Sequence, residues 1–368
     1  MQSTDELTEI INEIQLANPY NREFISEKLK YLASVYGLSS ALNNLFRQQV
    51  MSGFVLIDPA DLNSNESKTI TDDITGLRFR VEWNPARELR KNHQLLIERD
   101  IIDSTVDQDQ LINIDSNDKP CYLCSNNIYL QNPLEVLLPL RLSASDYFCG
   151  ANFAPITNNH FTIMTSEHVE QKYDSGVISS MIDFVDKTGG SYKAVFNGRA
   201  GASILTHLHL QATTEKFPIE SIDIKDDKYL VNKEGINVAK PDYYLPLYIV
   251  SGSDFEMVKK CSDHIILSWI EINPGFNTQN LIVIKDGGSL TVYIFLRDRK
   301  RLVGNGKEGD MGTFECAGNL VLSSDITVMG QTGNERYLFD NVNIDLIRDL
   351  LKDVSPNDSN FEIRFKNI

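Results

Sequence analysis

One pentapeptide, His207-Leu208-His209-Leu210-Gln211, constrains this chain more tightly than its overall composition does. Side chains alternate across a β-strand, so a strand here sends His207, His209 and Gln211 to one face and Leu208, Leu210 and Ala212 to the other. The apolar stripe calls for a core on one side of a sheet. The polar stripe leaves three proton- or metal-competent groups together on the opposite surface. By itself this pattern fits a metal pair, a hydrogen-bonded core pair or a solvated pair of histidines. Just upstream, Asn197-Gly198-Arg199-Ala200-Gly201-Ala202-Ser203 has the glycines that let a backbone approach phosphate and a serine that adds a donor. The same glycines also suit an ordinary turn.

The chain has six histidines, and His160 and His168 lie between this strand and an upstream Cys121-Tyr122-Leu123-Cys124 pair. A CxxC knuckle offers two thiolates to one tetrahedral zinc, which two histidines from elsewhere would complete. Pro120 and Ser125-Asn126-Asn127 place the pair in a tight turn, where knuckles form. The alternative is a buried or redox-active cysteine pair.

At 368 residues and 42% hydrophobic content the chain can bury one large or two medium cores. A formal charge of −16 argues against nucleic acid or an anionic membrane as partner, so a phosphate ligand would need local basic pockets. No apolar run approaches membrane-spanning length, and the start is polar and acidic rather than a signal peptide. Five cysteines, two of them in the knuckle, fit a reducing cytoplasm.

Along the chain, Ser3 to Glu6 reads as a capping box for a helix with Leu7, Ile10, Ile11 and Ile14 on one face. A second helix is expected from Glu27 to Gln49, with a break at Gly37, and the polar stretch Asp58 to Asp73 reads as a surface loop. Leu77, Phe79, Val81 and Trp83 alternate with Arg78, Arg80 and Glu82 as an amphipathic strand. Further strands are expected at Tyr147 to Phe153, Phe161 to Thr165, Tyr192 to Asn197 and Thr206 to Ala212, with a helix at Val177 to Lys187. After Pro246 the order recurs: strand Leu247 to Ser251, helix Asp254 to Ile270, strands Leu281 to Lys285 and Thr291 to Arg297, then a helix at Ile344 to Asp353. His264 reads as a helix-face residue. The expected fold is α+β, in two halves that are each an antiparallel sheet with a packed helix. A helical extension (1–57) precedes a catalytic half (76–242) and a degenerate second half (243–368).

Asn152-Phe153-Ala154-Pro155-Ile156, His160-Phe161-Thr162-Ile163-Met164, Glu167-His168 and the glycine-rich run into HxHxQ together resemble the histidine-triad nucleotidyltransferases. That clan includes galactose-1-phosphate uridylyltransferase, the diadenosine polyphosphate phosphorylases and the GDP-hexose phosphorylases. Trp83-Asn84-Pro85-Ala86-Arg87 and Lys119-Pro120-Cys121-Tyr122-Leu123-Cys124 resemble an uncharacterised bacterial branch with a domain of unknown function. The likeness is continuous from about Arg80 to Ala212. It is fainter beyond, at Asn280-Leu281-Ile282-Val283, Tyr293-Ile294-Phe295-Leu296-Arg297 and Glu315-Cys316-Ala317-Gly318.

The resemblance implies a structural zinc held by Cys121, Cys124, His168 and His207, with His209 as nucleophile and Gln211 holding the phosphoryl oxygens. It also implies substrate contacts from Asn152 and Arg87. The glycine-rich run adds Asn197, Gly198, Gly201 and Ser203 as candidates. Arg90, Lys91, Arg199, Arg297, Arg299, Lys300 and Arg301 are further candidate phosphate ligands. The uridylyltransferases carry proline between the two histidines where this chain has Leu208, which weakens the case for galactose chemistry.

A neutral imidazole can attack an α-phosphorus and split one displacement into two through a nucleotidyl-histidine. Histidine-triad hydrolases carry a third histidine where this chain has Gln211, which cannot gain or lose a proton near neutrality. The expected activity is therefore cleavage of a nucleoside diphosphate sugar with inorganic phosphate or a sugar phosphate as acceptor. A hexose-1-phosphate uridylyltransferase and a diadenosine polyphosphate phosphorylase are the nearest alternatives. A zinc-stabilised binding module without turnover is the reading from another class.

Overall fold

The computed structural model describes residues 4–56, 66–83, 93–114, 119–143, 145–303, 311–321, 335–357, 361, 363 and 365. Ser3, Asn84 to Arg87, Arg90 and Lys91 lie outside them, and so does the first part of the expected 58–73 loop. Three helices open the chain: α1 (Thr4–Leu16), α2 (Arg22–Tyr36) and α3 (Leu38–Met51). The expected long second helix is broken at Gly37, as the sequence suggested. Ile10, Ile14, Ile25, Leu29, Leu32, Leu42 and Leu45 form the buried face of this layer.

Residues 66–71, expected in a loop, form strand β1 (Glu66–Thr71), the exposed edge partner of β2 (Arg78–Trp83). Apart from Ile70, its side chains are polar and mostly outside the core, so its strand character comes from pairing with β2. Two short helices, α4 (His93–Glu98) and α5 (Ser125–Gln131), flank the cysteine knuckle. Then come β3 (Leu138–Leu142), β4 (Ser145–Ala151), β5 (Phe161–Thr165), α6 (Ser175–Lys187), β6 (Lys193–Asn197) and β7 (His209–Thr213). The hairpin β8 (Tyr229–Lys233) and β9 (Ile236–Ala239) leads into β10 (Leu247–Gly252), α7 (Phe255–Ile272), β11 (Asn277–Asp286) and β12 (Ser289–Asp298). A short helix α8 (Thr313–Cys316), strand β13 (Asn319–Val321) and helices α9 (Glu335–Asn341) and α10 (Ile344–Asp353) follow.

Ten of these strands form one sheet in the order β3-β4-β5-β7-β6-β11-β12-β10-β9-β8, antiparallel at every pairing. The run β4-β5-α6-β6-β7 recurs as β9-β10-α7-β11-β12. The two runs meet edge to edge where Val195 faces Ile282 and Asn197 faces Asn280. The fold is therefore α+β with a helical N-terminal layer. Among the described residues no helix is long and apolar enough to cross a membrane.

Alternation along the strands sorts the core into two. Leu210, Ala212, Ala194, Phe196, Leu281 and Val283 face α6 and α7, which are capped by Asp174 and Asp254 and bury Val177, Met181, Phe184, Val258, Ile265 and Trp269. Val195, Ile282, Tyr293 and Phe295 face a three-stranded sheet, β1-β2-β13, through Leu77, Phe79, Val81 and Leu320. His209 and Gln211 alternate with Leu210 and Ala212 and so lie on this second face.

The small sheet is tied to α10 through Asp72, which accepts hydrogen bonds from Tyr244 Oη at 2.8 Å and from Thr75, and pairs with Arg348. Asp72 is fully buried. Donors from Thr75, Arg348 and Tyr244 outweigh desolvation and hold its carboxyl at about 2, below the ordinary 3.8. A depressed carboxylate pKa stabilises the fold above the unfolded value and loses that contribution as pH falls through the folded one. We expect Asp72→Asn to cost about 2 kcal/mol at neutral pH. In urea unfolding, the gap between variant and wild type should narrow as pH drops from 4 toward 2. A gap independent of pH would show that the carboxylate's charge does not carry the stabilisation.

Candidate functional site

The regular strand β7 begins at His209, so His207 sits two residues before it rather than inside it. There His207 Nε2 lies 2.8 Å from the Thr165 carbonyl, which can only accept, so Nε2 carries the proton and Nδ1 keeps the lone pair. That lone pair faces Cys121 Sγ at 3.4 Å and Cys124 Sγ at 3.6 Å. His168 Nδ1 approaches Cys124 Sγ at 3.2 Å. All four ligand atoms lie within 4.8 Å of one another. A tetrahedral zinc with ordinary Zn–S and Zn–N bonds needs sulfur-to-nitrogen edges of about 3.6 Å, so the donor set fits the ion.

The surroundings fit as well. Asn113 Nδ2 donates to Cys124 Sγ at 3.1 Å, the outer contact that steadies a thiolate ligand. Asn127 donates to the carbonyls of Cys121 and Ile112 and accepts from Ile112 N–H, closing the knuckle. Burial pushes the His207 imidazole down to about 4, leaving it neutral and able to ligate. Cys121, Leu123, Cys124, Ile128 and Leu137 pack on Met164, the β5 partner of His209, so the knuckle buttresses the strand beside His209.

His209 Nδ1 lies 2.9 Å from the His207 carbonyl, which again can only accept. Nε2 is therefore the atom with the lone pair. Burial lowers the pKa of His209, favouring the neutral imidazole. Its backbone is clamped by Gln171, whose Oε1 accepts from His209 N–H at 2.8 Å and whose Nε2 donates to the carbonyls of His209 and Asn197 at 3.1 and 2.7 Å. No sequence pattern marks Gln171, because it acts on backbone where β6 and β7 diverge.

His160 is the second residue the sequence reading left without a role. Its Nδ1 accepts from Ile156 N–H at 3.1 Å, so Nε2 carries the proton and donates to Gln211 Oε1 at 2.9 Å. This occupies the glutamine oxygen and leaves its nitrogen without a hydrogen-bond partner among the described residues. The His160 ring also lies 5.4 Å from that of Phe314. His160→Ala should release Gln211 and cost roughly tenfold in turnover, the equivalent of one hydrogen bond, with metal content unchanged. Adding Gln211→Ala should then cost little more. Loss of metal in His160→Ala with turnover intact would overturn this assignment.

The glycine-rich run departs from expectation. Gly198 N–H donates to Asn280 Oδ1 at 3.2 Å, Arg199 N–H to Thr278 Oγ1 at 3.0 Å, and Gly201 N–H to the Gly198 carbonyl at 2.8 Å. Glycine is required at 198 because a Cβ would lie 2.1 Å from the Gln279 carbonyl oxygen. The Gly198 and Arg199 N–H groups tie the loop to β11 and the Gly201 N–H closes the turn itself, so these backbone donors serve packing rather than a phosphate cradle. Asn197 also serves the fold: its Oδ1 accepts from Thr313 N–H at 2.8 Å and Thr313 Oγ1 at 2.6 Å, joining the two halves. Ser203 is exposed just beyond the turn, and Asn152 is half-buried with Oδ1 held by Ala154 N–H at 3.1 Å. Arg297 is fully buried and donates to the Met311 carbonyl, which removes it from the phosphate candidates. Arg301 is spent on the carbonyls of Ser355 and Lys352. Arg87 lies outside the described residues. His264 is on α7, its ring against Phe365.

A family described as a domain of unknown function (DUF4922) matches residues 59–214, the segment that carries the knuckle, His209 and Gln211. Galactose-1-phosphate uridylyltransferase of Clostridium acetobutylicum is 26% identical over 161 residues, covering 40% of this chain and 32% of that protein. The enzyme of the same name from Caldanaerobacter subterraneus is 24% identical over 186 residues, 45% and 34% of the two chains. The chain thus spans about a third of the length of the curated relatives it matches. In fold, it is similar to yeast Ap4A phosphorylase Apa2, with TM-score 0.54 and 13% identity over 85% of this chain and 95% of that one. The complex of that phosphorylase with Ap4A aligns with TM-score 0.51. By the shared segment and by the fold, the chain is related to the histidine-triad nucleotidyltransferase superfamily.

Proposed function

We propose that the chain is a phosphorylase-type nucleotidyltransferase that works through a nucleotidyl-histidine. The observation that carries this reading is the hydrogen bond from His209 Nδ1 to the His207 carbonyl, which leaves a neutral imidazole with its Nε2 lone pair available. In the first displacement, Nε2 forms a bond to the α-phosphorus of a nucleoside diphosphate sugar while the anhydride P–O bond breaks and sugar 1-phosphate leaves. In the second, an oxygen of inorganic phosphate or a sugar phosphate attacks the same phosphorus and the P–N bond breaks, returning neutral His209. Gln211, oriented by His160, donates to the phosphoryl oxygens in both steps. It cannot gain or lose a proton near neutrality, which favours a phosphate acceptor over hydrolysis. Cys121, Cys124, His168 and His207 would hold a zinc whose contribution is a cross-link between the knuckle and the start of β7.

The test is intact-mass measurement after incubation with each common nucleotide sugar, and with Ap4A, in the absence of acceptor. The expected result is an adduct of one nucleoside monophosphate, discharged by added phosphate, and its mass names the nucleotide. Turnover of these compounds with no adduct would show direct transfer. Binding without adduct or turnover would make the chain a zinc-stabilised binding module.

A further inference from the structure

Glu135 is a buried carboxylate with no part in the chemistry above. It precedes β3 and shares the direction of Leu137, toward the face that carries His209 and Gln211. Its Oε2 accepts from Asn132 Nδ2 at 2.7 Å, and its Oε1 accepts no hydrogen bond from the described residues. Arg22, whose charge acts on Glu135, spends Nη1 and Nη2 on the carbonyls of Asn132 and Tyr129. Glu135 Oε1 lies over Gly150, 2.8 Å from where a Cβ would be, so the carboxylate occupies the space a side chain at 150 would fill. Gly150 pairs with Thr162, and Thr162 with Gln211, so the three stand in one cross-strand row. Two strand spacings put that row's ends on the order of 10 Å apart, about the reach of a nucleoside from its phosphate.

Resting on the nucleotidyl-transfer reading, we propose that Glu135 recognises the nucleoside of the substrate, accepting hydrogen bonds from its O–H or N–H donors through Oε1. The carboxylate is a poor structural choice here. Desolvation pushes its pKa up to about 7, so burying its charge works against the fold. A neutral isostere could keep the Asn132 contact without that cost, as expected where a site trades stability for binding.

The experiment measures binding of the four common nucleoside 5′-monophosphates, and of their 2′,3′-dideoxy forms, to wild type and to Glu135→Gln, with thermal unfolding of each protein. The expected result is affinity for the best-bound nucleotide falling about tenfold or more in Glu135→Gln, with melting temperature unchanged or raised. A penalty that vanishes with the dideoxy form assigns Oε1 to a ribose hydroxyl, and one that persists assigns it to the base. Should Glu135→Gln fail to fold, Gly150→Ala is read in the same way, since its added Cβ displaces the carboxylate without removing it. Affinities within twofold of wild type in a folded variant overturn the assignment of Glu135 alone. Failure of wild type to bind any of the nucleotides overturns the proposed function and this assignment together.

Discussion

Replacing His209 by asparagine is expected to abolish nucleotidyl transfer, by about 10^4-fold or more, as loss of a covalent nucleophile commonly does. Asparagine is chosen because its side chain can still donate toward the His207 carbonyl that the imidazole faces at 2.9 Å, so the local backbone has reason to stay in place. Metal content and melting temperature should match wild type, which separates this loss from unfolding. No adduct should form on incubation with any nucleotide sugar. Adduct at wild-type yield would place the nucleophile elsewhere, and undiminished turnover without adduct would mean transfer proceeds directly to the acceptor.

The second large effect concerns metal. The purified protein should hold about one zinc per chain, and Cys121→Ser or His207→Ala should remove it. Structural zinc contributes about 10 to 16 kcal/mol to small fingers that fold around it. Here the knuckle leans on a preformed sheet, so only part of that is expected to appear as lost stability. A loss of about 4 kcal/mol would lower the melting temperature by roughly 10 °C in a domain of this size. Removing one ligand also strands two buried sulfur or nitrogen partners that were placed to share an ion. Activity should fall with the metal, because Met164 carries the knuckle's packing to the backbone beside His209. Zinc retained at wild-type level in both variants would take Cys121 and His207 out of the site.

Much of the site was legible because its chemistry rests on residue types at fixed spacing. His207, His209 and Gln211 announce themselves by alternation, and Cys121 and Cys124 by the knuckle. The element order was legible for a similar reason: β5, α6, β10, α7, β12 and α10 are apolar stripes with clear periods. What escaped was what pairing and close approach decide. β1 carries Glu66, Lys68 and Thr71, and becomes a strand only through the ladder that β2 offers. β8 and β9 escaped for another reason: they are five and four residues long and their ladder is irregular near Val231, too short a run to set a period. Asn197 and Gly198 look the same in a phosphate cradle and in a turn fastened to a neighbouring strand. Only the positions of Thr313 and Asn280, some eighty residues or more away, choose the second. Gln171 and Arg297 act on carbonyls, which every residue has, and so left no pattern to find.

The seam between β6 and β11 bears on how the molecule can be divided. Val195 and Ile282 face each other there with Phe196 and Leu281 beside them, and strands from the two halves satisfy one another's backbone groups. A polypeptide ending near residue 242 would keep every zinc ligand, yet it would present Lys193 to Asn197 as a naked, largely apolar margin. Such a margin recruits whatever strand is available, most readily its own twin. The shortened protein should therefore emerge as pairs or larger aggregates instead of as a small, well-behaved catalyst. Supplying the missing segment in trans would be the remedy that restores a monodisperse product.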